Sequence, residues 1–84
     1  MTYSISIKQS AVKALTSIPK PDRVRLIEAI DALGQNPSAG SALKGEFTGL
    51  RRIRVGSYRI VYEVQDQRLL ILVIRIGHRR EGYR

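Results

Sequence analysis

Apolar and polar positions in the second half of the chain alternate with the period of a β-strand. In the stretch LRRIRVGSYRIVYEV, residues 50–64, apolar or aromatic side chains recur at alternate positions on both sides of a Gly-Ser pair. This alternation predicts two half-buried strands, residues 50–55 and 58–64. Glycine at the first position of a two-residue connection is typical of a type II′ turn, so Gly56 and Ser57 are expected to join the strands as a hairpin.

Two further strands are predicted nearer the ends of the chain. The segment YSISI, residues 3–7, alternates and is rich in residues that favour strands. The segment LLILVIRIG, residues 69–77, follows a turn at Asp66-Gln67 and is the most apolar run in the sequence. A run of this kind predicts a central strand that is shielded on both faces for most of its length.

Between the first and second strands, the apolar period changes to that of a helix, in two segments. The first segment runs from Lys8 to Ile18, and Pro19 ends it. The second begins near Pro21, a residue well tolerated in the first turn of a helix, and ends at Gly34. The expected apolar stripes are Ala11, Leu15 and Ile18 in the first helix, and Ile27, Ile30 and Leu33, with Val24 and Leu26 alongside, in the second.

These elements predict an α+β fold in a single domain spanning residues 1–84. Its order is an N-terminal strand, an α-helical hairpin and then a three-stranded antiparallel meander. The helices are expected to pack on one face of a small four-stranded sheet. Residues 37–49 are rich in glycine and small side chains, which indicates a loop.

A two-residue turn also predicts which side chains share a face of the sheet. It sets Arg54 opposite Arg59 and Arg52 opposite Val61, on the side away from the helices. In the last strand, alternation predicts Leu70, Leu72, Ile74 and Ile76 under the helices, and Ile71, Val73 and Arg75 on the other side. The open face therefore collects Arg52, Arg54, Arg59 and Arg75, with Arg79 and Arg80 following the final strand.

Composition narrows the chemistry. The 84 residues contain no cysteine and one histidine, which excludes disulfides, a thiol nucleophile, a thiolate metal site and a histidine-rich metal cluster. The N-terminus has no apolar run of signal-peptide length, and no 18 consecutive residues are apolar. A cytoplasmic protein is expected.

The net charge of +8 is unevenly distributed. Residues 1–50 carry six basic and four acidic groups, whereas residues 51–84 carry nine arginines and three acidic groups. This asymmetry favours a polyanionic partner, with nucleic acid first, an acidic protein second and a membrane surface third. Two simpler interpretations are that positive charge keeps a small protein soluble, or that the arginines form a solvated face. Arginine rather than lysine favours phosphate binding, since its planar fork clamps phosphate and stacks on bases.

Arginines on one face suit cleavage of a phosphodiester, because they can stabilise the charge that develops on phosphorus-bound oxygens. They stay protonated and are poor bases. The titratable candidates near them are His78, Glu63, Glu81 and Tyr83. His78 either titrates in a reaction or is a surface histidine in a basic tail, and Tyr83 either stacks on a base or is part of a disordered end. The sequence has no cluster of carboxylates that would indicate a metal nuclease. RNA cleavage would therefore use the 2′-hydroxyl as nucleophile without a metal.

Three segments in this order carry a family resemblance: Leu43-Lys44-Gly45, the hairpin RVGSYR, and the C-terminal run GHRREGYR. With the order strand, helix hairpin, three strands, the chain resembles the RelE branch of the RelE/ParE toxin superfamily of bacterial toxin–antitoxin systems. The resemblance covers nearly the whole chain. It implies a ribosome-dependent mRNA interferase that cuts the codon in the ribosomal A site by 2′-hydroxyl attack. It also implies a cognate RelB-like antitoxin that blocks the toxin and, with it, represses their shared operon.

The resemblance also implies roles for individual residues. Arg52 and Arg54 fall on the family's two basic strand residues, and Arg59 on the hairpin arginine that stabilises the transition state. Arg79 falls on the C-terminal arginine proposed as proton donor, and Tyr83 on the tyrosine that stacks on the substrate base. We expect catalytic residues Arg59, Arg79, His78 and Tyr83, RNA-binding residues Arg52, Arg54, Arg75, Arg80 and Lys44, and no cofactor or metal.

Two departures from the family pattern affect the mechanism. Well-known members have lysines at positions 52 and 54, one of them the proposed general base, and arginine cannot readily replace it. His78, solvent or the ribosome could take the proton, or activity could be weak. The spacing from Arg79 to Tyr83 is also shorter than in those members. Two other functions therefore stay open: a ParE-like poison of DNA gyrase, and a degenerate toxin that acts only as a co-repressor with its antitoxin.

Overall fold

The computed structural model describes residues 2–43, 45 and 49–78 of the chain. Two helices and five strands follow one another in this part, with a short 3-10 turn at Asp66–Arg68. The elements are β1 (Ser4–Ile7), α1 (Gln9–Thr16), α2 (Lys20–Leu33), β2 (Ser41–Ala42), β3 (Leu50–Val55), β4 (Tyr58–Gln65) and β5 (Leu70–His78). Lys44, Glu46, Phe47, Thr48 and residues 79–84, several of which carry predictions, lie outside the described residues.

The predicted α+β architecture is confirmed, with one additional strand. The sheet order is β1-β5-β4-β3-β2. The three long strands form the expected antiparallel meander, and β1 pairs parallel to β5 at its outer side. The added strand β2 is two residues long and lies in the segment that the sequence assigned to a loop. It pairs with β3 through Ser41 opposite Arg52 and Ala42 opposite Arg51.

Both helices cover one face of the sheet, and the predicted stripe of α1 is confirmed. Ala11, Leu15 and the following Ile18 are buried. The stripe predicted for α2 is partly wrong. Leu26, Ile30 and Leu33 form its buried row, whereas Ile27 is 42% exposed and Val24 45% exposed. Both rows have helical spacing, and the sheet beneath the helix selects between them. No helix in the described part of the chain is long and apolar enough to cross a membrane.

The hairpin register is the predicted one. Val55 lies opposite Tyr58, Arg54 opposite Arg59, and Arg51 opposite Tyr62. Gly56 has a φ of +59°, a value that glycine adopts without the strain that other residues would incur. The turn therefore fixes the pairing, and the pairing fixes which side chains share a face.

The face assignment of β5 was wrong in its first half. Arg75 pairs with Val61 but Val73 pairs with Tyr62, so Ile74 is an extra residue at a β-bulge. A bulge shifts the alternation by one position for all residues on its other side. Consequently Ile71 and Val73, each 0% exposed, lie in the core under the helices, and Leu70 and Leu72 pair with residues of the open face. Ile76 and Arg75, which follow the bulge, have the predicted orientations.

Candidate nucleic-acid interface

The sheet face opposite the helices carries two adjacent rows of basic residues. In one row Arg52 of β3, Val61 of β4 and Arg75 of β5 are successive cross-strand partners. In the neighbouring row the partners are Arg54, Arg59 and Gly77. Side chains of directly paired residues point to the same face, so pairing brings four predicted arginines together. Gly77 has no side chain, which leaves the position beside Arg59 unfilled by β5.

Val61 shows how these long side chains lie. It faces away from the helical core, yet it is only 4% exposed. Its cross-strand neighbours are Arg52, half-buried, and Arg75, exposed. Arginine commonly lays its aliphatic stem over an apolar neighbour while its charged head stays in water. The two flanking arginines are placed to do this, which would present their guanidinium groups outward.

The other end of the open face is different in character. Its next row joins Leu50, Glu63 and Leu72, all half-buried. Glu63 accepts a hydrogen bond of 2.6 Å from the side-chain amide of Gln65. Glu63 lies four positions from Arg59 along β4, which is about 13 Å at the usual strand rise. At this separation Glu63 has little effect on the repulsion between Arg54 and Arg59. We call residues 52, 54, 59 and 75 the basic end of the open face.

His78 does not join the basic end. It is the cross-strand partner of Tyr58, and its ring meets the tyrosine ring edge-to-face at 5.4 Å between centroids. The two rings lie at a recess of about 250 Å³ that Ala14, Ser17 and Ile18 also line. The expectation that His78 lies near the arginines is therefore corrected: β5 turns its side chain toward the helix-covered face.

At the outer edge of β3 there is a notch beside the basic end. Pairing between β2 and β3 ends with Ser41 opposite Arg52. The notch has a volume of about 450 Å³ and is lined by Ala39, Gly40, Ser41, Arg52, Ile53 and Arg54. None of these six residues is acidic. Two guanidinium groups, a serine hydroxyl and loop backbone thus converge on a space within the usual range of small-ligand pockets.

The wall of this notch is fastened from the helix-covered face by two residues that sequence reasoning did not single out. The Tyr62 hydroxyl donates to the Pro37 carbonyl at 2.8 Å and accepts from the Gly40 backbone N–H at 3.0 Å. Its cross-strand partner Arg51 donates through Nη2 to the carbonyl oxygens of Ser38, at 3.1 Å, and Gly40. We call residues 37–42 the edge loop. Arg51 and Tyr62 bond main-chain groups of this loop, which every residue type carries, so the sequence carried no signal for these contacts.

Four predicted site residues fall outside the described residues: Lys44, Arg79, Arg80 and Tyr83. The same holds for Glu81. Their placement in the site stays a prediction.

Comparison with known proteins identifies the family. A family model described as the ParE toxin of type II toxin-antitoxin system, parDE, matches residues 5–83. The chain belongs to this toxin family. Toxin RelG of Mycobacterium tuberculosis is 28% identical over 86 residues, covering 100% of this chain and 99% of that protein. Toxin RelE of the same organism is 30% identical over 84 residues, covering 98% and 87%.

Solved structures agree with this family membership. The archaeal RelE–RelB complex from Pyrococcus horikoshii OT3 contains a chain 35% identical to this one, with a TM-score of 0.78 and coverage of 94% of this chain and 97% of that chain. The toxin–antitoxin complex RelBE2 from M. tuberculosis has a TM-score of 0.87 at 24% identity, covering 93% and 99%, which supports the fold. The chain is thus a RelE-type toxin of the RelE/ParE superfamily, as the sequence resemblance predicted.

Proposed function

We propose that this toxin is a ribosome-dependent mRNA endoribonuclease that inhibits translation in the cytoplasm. The observation that carries the proposal is the basic end: four arginines in two adjacent rows on a sheet face that the helices leave uncovered. A single RNA strand laid across them would have several phosphates neutralised at once. The similarity to a protein named Toxin RelE, at 30% identity, supports the nuclease class.

In the proposed reaction the 2′-hydroxyl attacks the adjacent phosphorus, giving a 2′,3′-cyclic phosphate and a free 5′-hydroxyl. Arg59 stabilises the charge on the phosphoryl oxygens, and Arg79 gives a proton to the leaving oxygen. Arg52, Arg54, Arg75, Arg80 and Lys44 hold the backbone, and Tyr83 stacks on a base. No cofactor or metal is assigned.

The proton acceptor for the 2′-hydroxyl is the role for which this chain offers the weakest candidates. His78 lies on the other face beside Tyr58, and Glu63 lies about 13 Å along β4 from Arg59. Arginines at positions 52 and 54 remain protonated. Within the part of the chain that the structure describes, no side chain at the basic end is a suitable base. We therefore assign proton removal to solvent or to a ribosomal group.

A RelB-like antitoxin is the proposed regulatory partner. The P. horikoshii relative, 35% identical, was solved as a RelE–RelB complex. A net charge of +8 also favours an acidic partner. We propose that the antitoxin blocks the basic end, and that operator DNA is bound only through the toxin–antitoxin complex.

The test uses the purified full chain with ribosomes that carry a defined mRNA. Primer extension should reveal cuts within the A-site codon, and the same mRNA without ribosomes should stay intact. Arg68→Ala, a substitution in the exposed 3-10 turn, is the matched control for Arg59→Ala. A gyrase supercoiling assay runs in parallel. Intact mRNA together with gyrase inhibition would replace the nuclease by a ParE-like activity, and normal growth on strong induction without antitoxin would indicate a degenerate toxin.

A further inference from the structure

The edge loop is held against β3 more closely than its short β2 pairing requires. Gly40 is buried, and a Cβ placed on it would lie 2.5 Å from the Arg52 carbonyl oxygen and 2.8 Å from the Tyr62 hydroxyl. Such distances are below those that real Cβ atoms tolerate, so only glycine fits here. The loop backbone thus contacts the backbone of Arg52, one of the two arginines that line the notch.

Four side-chain hydrogen bonds that seat the loop come from one cross-strand pair, Arg51 and Tyr62. Tyr62 is 0% exposed and bonds two main-chain groups of the edge loop, while Arg51 bonds two of its carbonyl oxygens. Tyr62 is fixed in the core, so the position of its hydroxyl is set by packing rather than by the loop. Arg51 and Tyr62 therefore hold the edge loop to the sheet at a fixed position.

This anchoring has a consequence on the opposite face. Ser41 is the cross-strand partner of Arg52 and thus shares the open face with it. Arg52 and Arg54 lie two positions apart, about 7 Å along β3. Backbone N–H groups, hydroxyls and arginines are the groups that proteins use to position nucleic-acid phosphates. A loop held in one place offers the Ser41 hydroxyl beside Arg52 and Arg54 without the ordering cost that a free loop would add to binding.

We propose that Arg51 and Tyr62 are positioning residues for the substrate: they seat the edge loop so that the notch receives the phosphate–sugar backbone of a single-stranded RNA. The inference rests on the proposed function for the identity of the polyanion. Arg52 and Arg54 contact the phosphates, and the edge loop sets the width of the space between them and Ser41. Arg51 and Tyr62 touch no RNA and act through the loop.

Tyr62→Phe tests the proposal, because it removes the hydroxyl and keeps the ring in the core. The probe is a fluorescent eight-nucleotide RNA with 2′-O-methyl groups, which cannot be cleaved by 2′-hydroxyl attack. Its Kd, measured by fluorescence anisotropy at fixed salt, should rise about 5- to 10-fold. Hydrogen exchange at the Gly40 amide should accelerate. Tyr58→Phe is the control on the same strand and face, and its Kd should equal that of the wild type.

A double substitution separates positioning from general destabilisation. If Tyr62 acts through the notch, Tyr62→Phe should add nothing to the loss that Arg52→Ala already causes. A loss that adds in full would overturn the proposal, as would a Tyr62→Phe Kd equal to that of the wild type. Arg51→Lys keeps the charge but replaces the forked donor, and it serves if Tyr62→Phe does not fold. Its Kd should also rise, whereas that of Arg68→Lys should not.

Cleavage on ribosomes is measured on the same variants. Tyr62→Phe should raise KM and leave kcat within about twofold, since the loop is proposed to hold substrate and takes no part in the proton transfers. Ribosomal cleavage with Tyr62-independent oligomer binding would overturn this inference and leave the proposed function standing. Tyr62-dependent oligomer binding without ribosomal cleavage would overturn the proposed function and support the positioning role.

Discussion

The two faces of the sheet are constrained by different forces. On the covered face Ile60, Tyr62, Ile71 and Val73 are each 0% exposed, and their identities follow from packing against the helices. On the open face Arg54 lies directly opposite Arg59. A like-charge pair of this kind weakens strand pairing and adds no core packing. The covered face is therefore specified by packing, and the open face is distinguished by its charge.

The largest effect is expected on the covered face and tests the bulge in β5. Ile71→Ala should lower the free energy of unfolding by about 2–5 kcal/mol, because it leaves a cavity in the core. In a domain of this size each 1 kcal/mol shifts Tm by roughly 4–8 °C. Leu72→Ala, at the half-buried neighbour on the open face, should cost clearly less. Urea denaturation measures both, and the reverse order would restore the faces that simple alternation predicts.

That comparison also shows where sequence reasoning reached its limit in the fold. The β3–β4 register could be predicted because a two-residue turn admits one pairing. The bulge could not, because residues 69–74 are all apolar and no polar side chain marks which positions face solvent. Strand β2, two residues long, is too short to show a period. The loop that leads into it is hydrogen-bonded to Tyr62, a contact between distant parts of the chain.

In the candidate site the success and the failure have the same physical origin. Arg52, Arg54 and Arg59 could be placed on one face because their strands alternate cleanly around the turn. His78 was associated with the arginines through its neighbours in sequence. Alternation from Ile76, a core residue, already gives His78 the parity of the covered face. Position within a strand, not distance along the chain, decides which chemistry a side chain can join.

The second largest effect is expected at the basic end and concerns activity alone. Arg59→Ala should reduce cleavage on ribosomes by about 10²- to 10³-fold, the usual cost of removing one group that stabilises a developing oxyanion. Arg59→Lys should restore part of the activity, because it keeps the charge but not the planar fork. Single-turnover kinetics measure the rate, and circular dichroism checks the fold. Unfolding of Arg59→Ala would mean that the arginine supports the sheet rather than the reaction.

A smaller effect is expected at His78. A histidine on the covered face should affect stability, whereas one on the open face should affect the cleavage rate. On the covered face the His78 ring pairs edge-to-face with Tyr58, and such pairs contribute about 0.5–1.5 kcal/mol. His78→Ala should therefore lower Tm by several degrees and leave the cleavage rate per folded molecule unchanged. Thermal unfolding and single-turnover cleavage on ribosomes measure the two quantities. A large loss of rate at full folding would return histidine to the reaction as its base.

The smallest effect is expected at the β4–β5 turn, which a hydrogen bond from Tyr3 joins to the chain before β1. The Tyr3 hydroxyl donates to the Asp66 carboxylate at 2.6 Å, and this hydrogen bond raises the pKa of Tyr3 above its ordinary value. Since the folded pKa exceeds the unfolded value of about 10, the bond stabilises the fold fully below pH 10. That contribution is lost as the pH rises through the folded pKa.

Tyr3→Phe should therefore be slightly less stable than the wild type at pH 7 and pH 9, by the same amount at both, and the difference should shrink above pH 10. Urea denaturation across this range measures it. Asp66→Asn is the matched control, because it removes the charge that the phenolate would face and should bring the pKa of Tyr3 back toward its ordinary value. Neither variant should alter RNA cleavage, since Tyr3 and Asp66 meet just beyond the end of β4, whereas Arg59 lies at its beginning. A loss of cleavage in Tyr3→Phe at unchanged stability would show that this end of the sheet also takes part in substrate binding, and that the functional surface extends beyond the basic end.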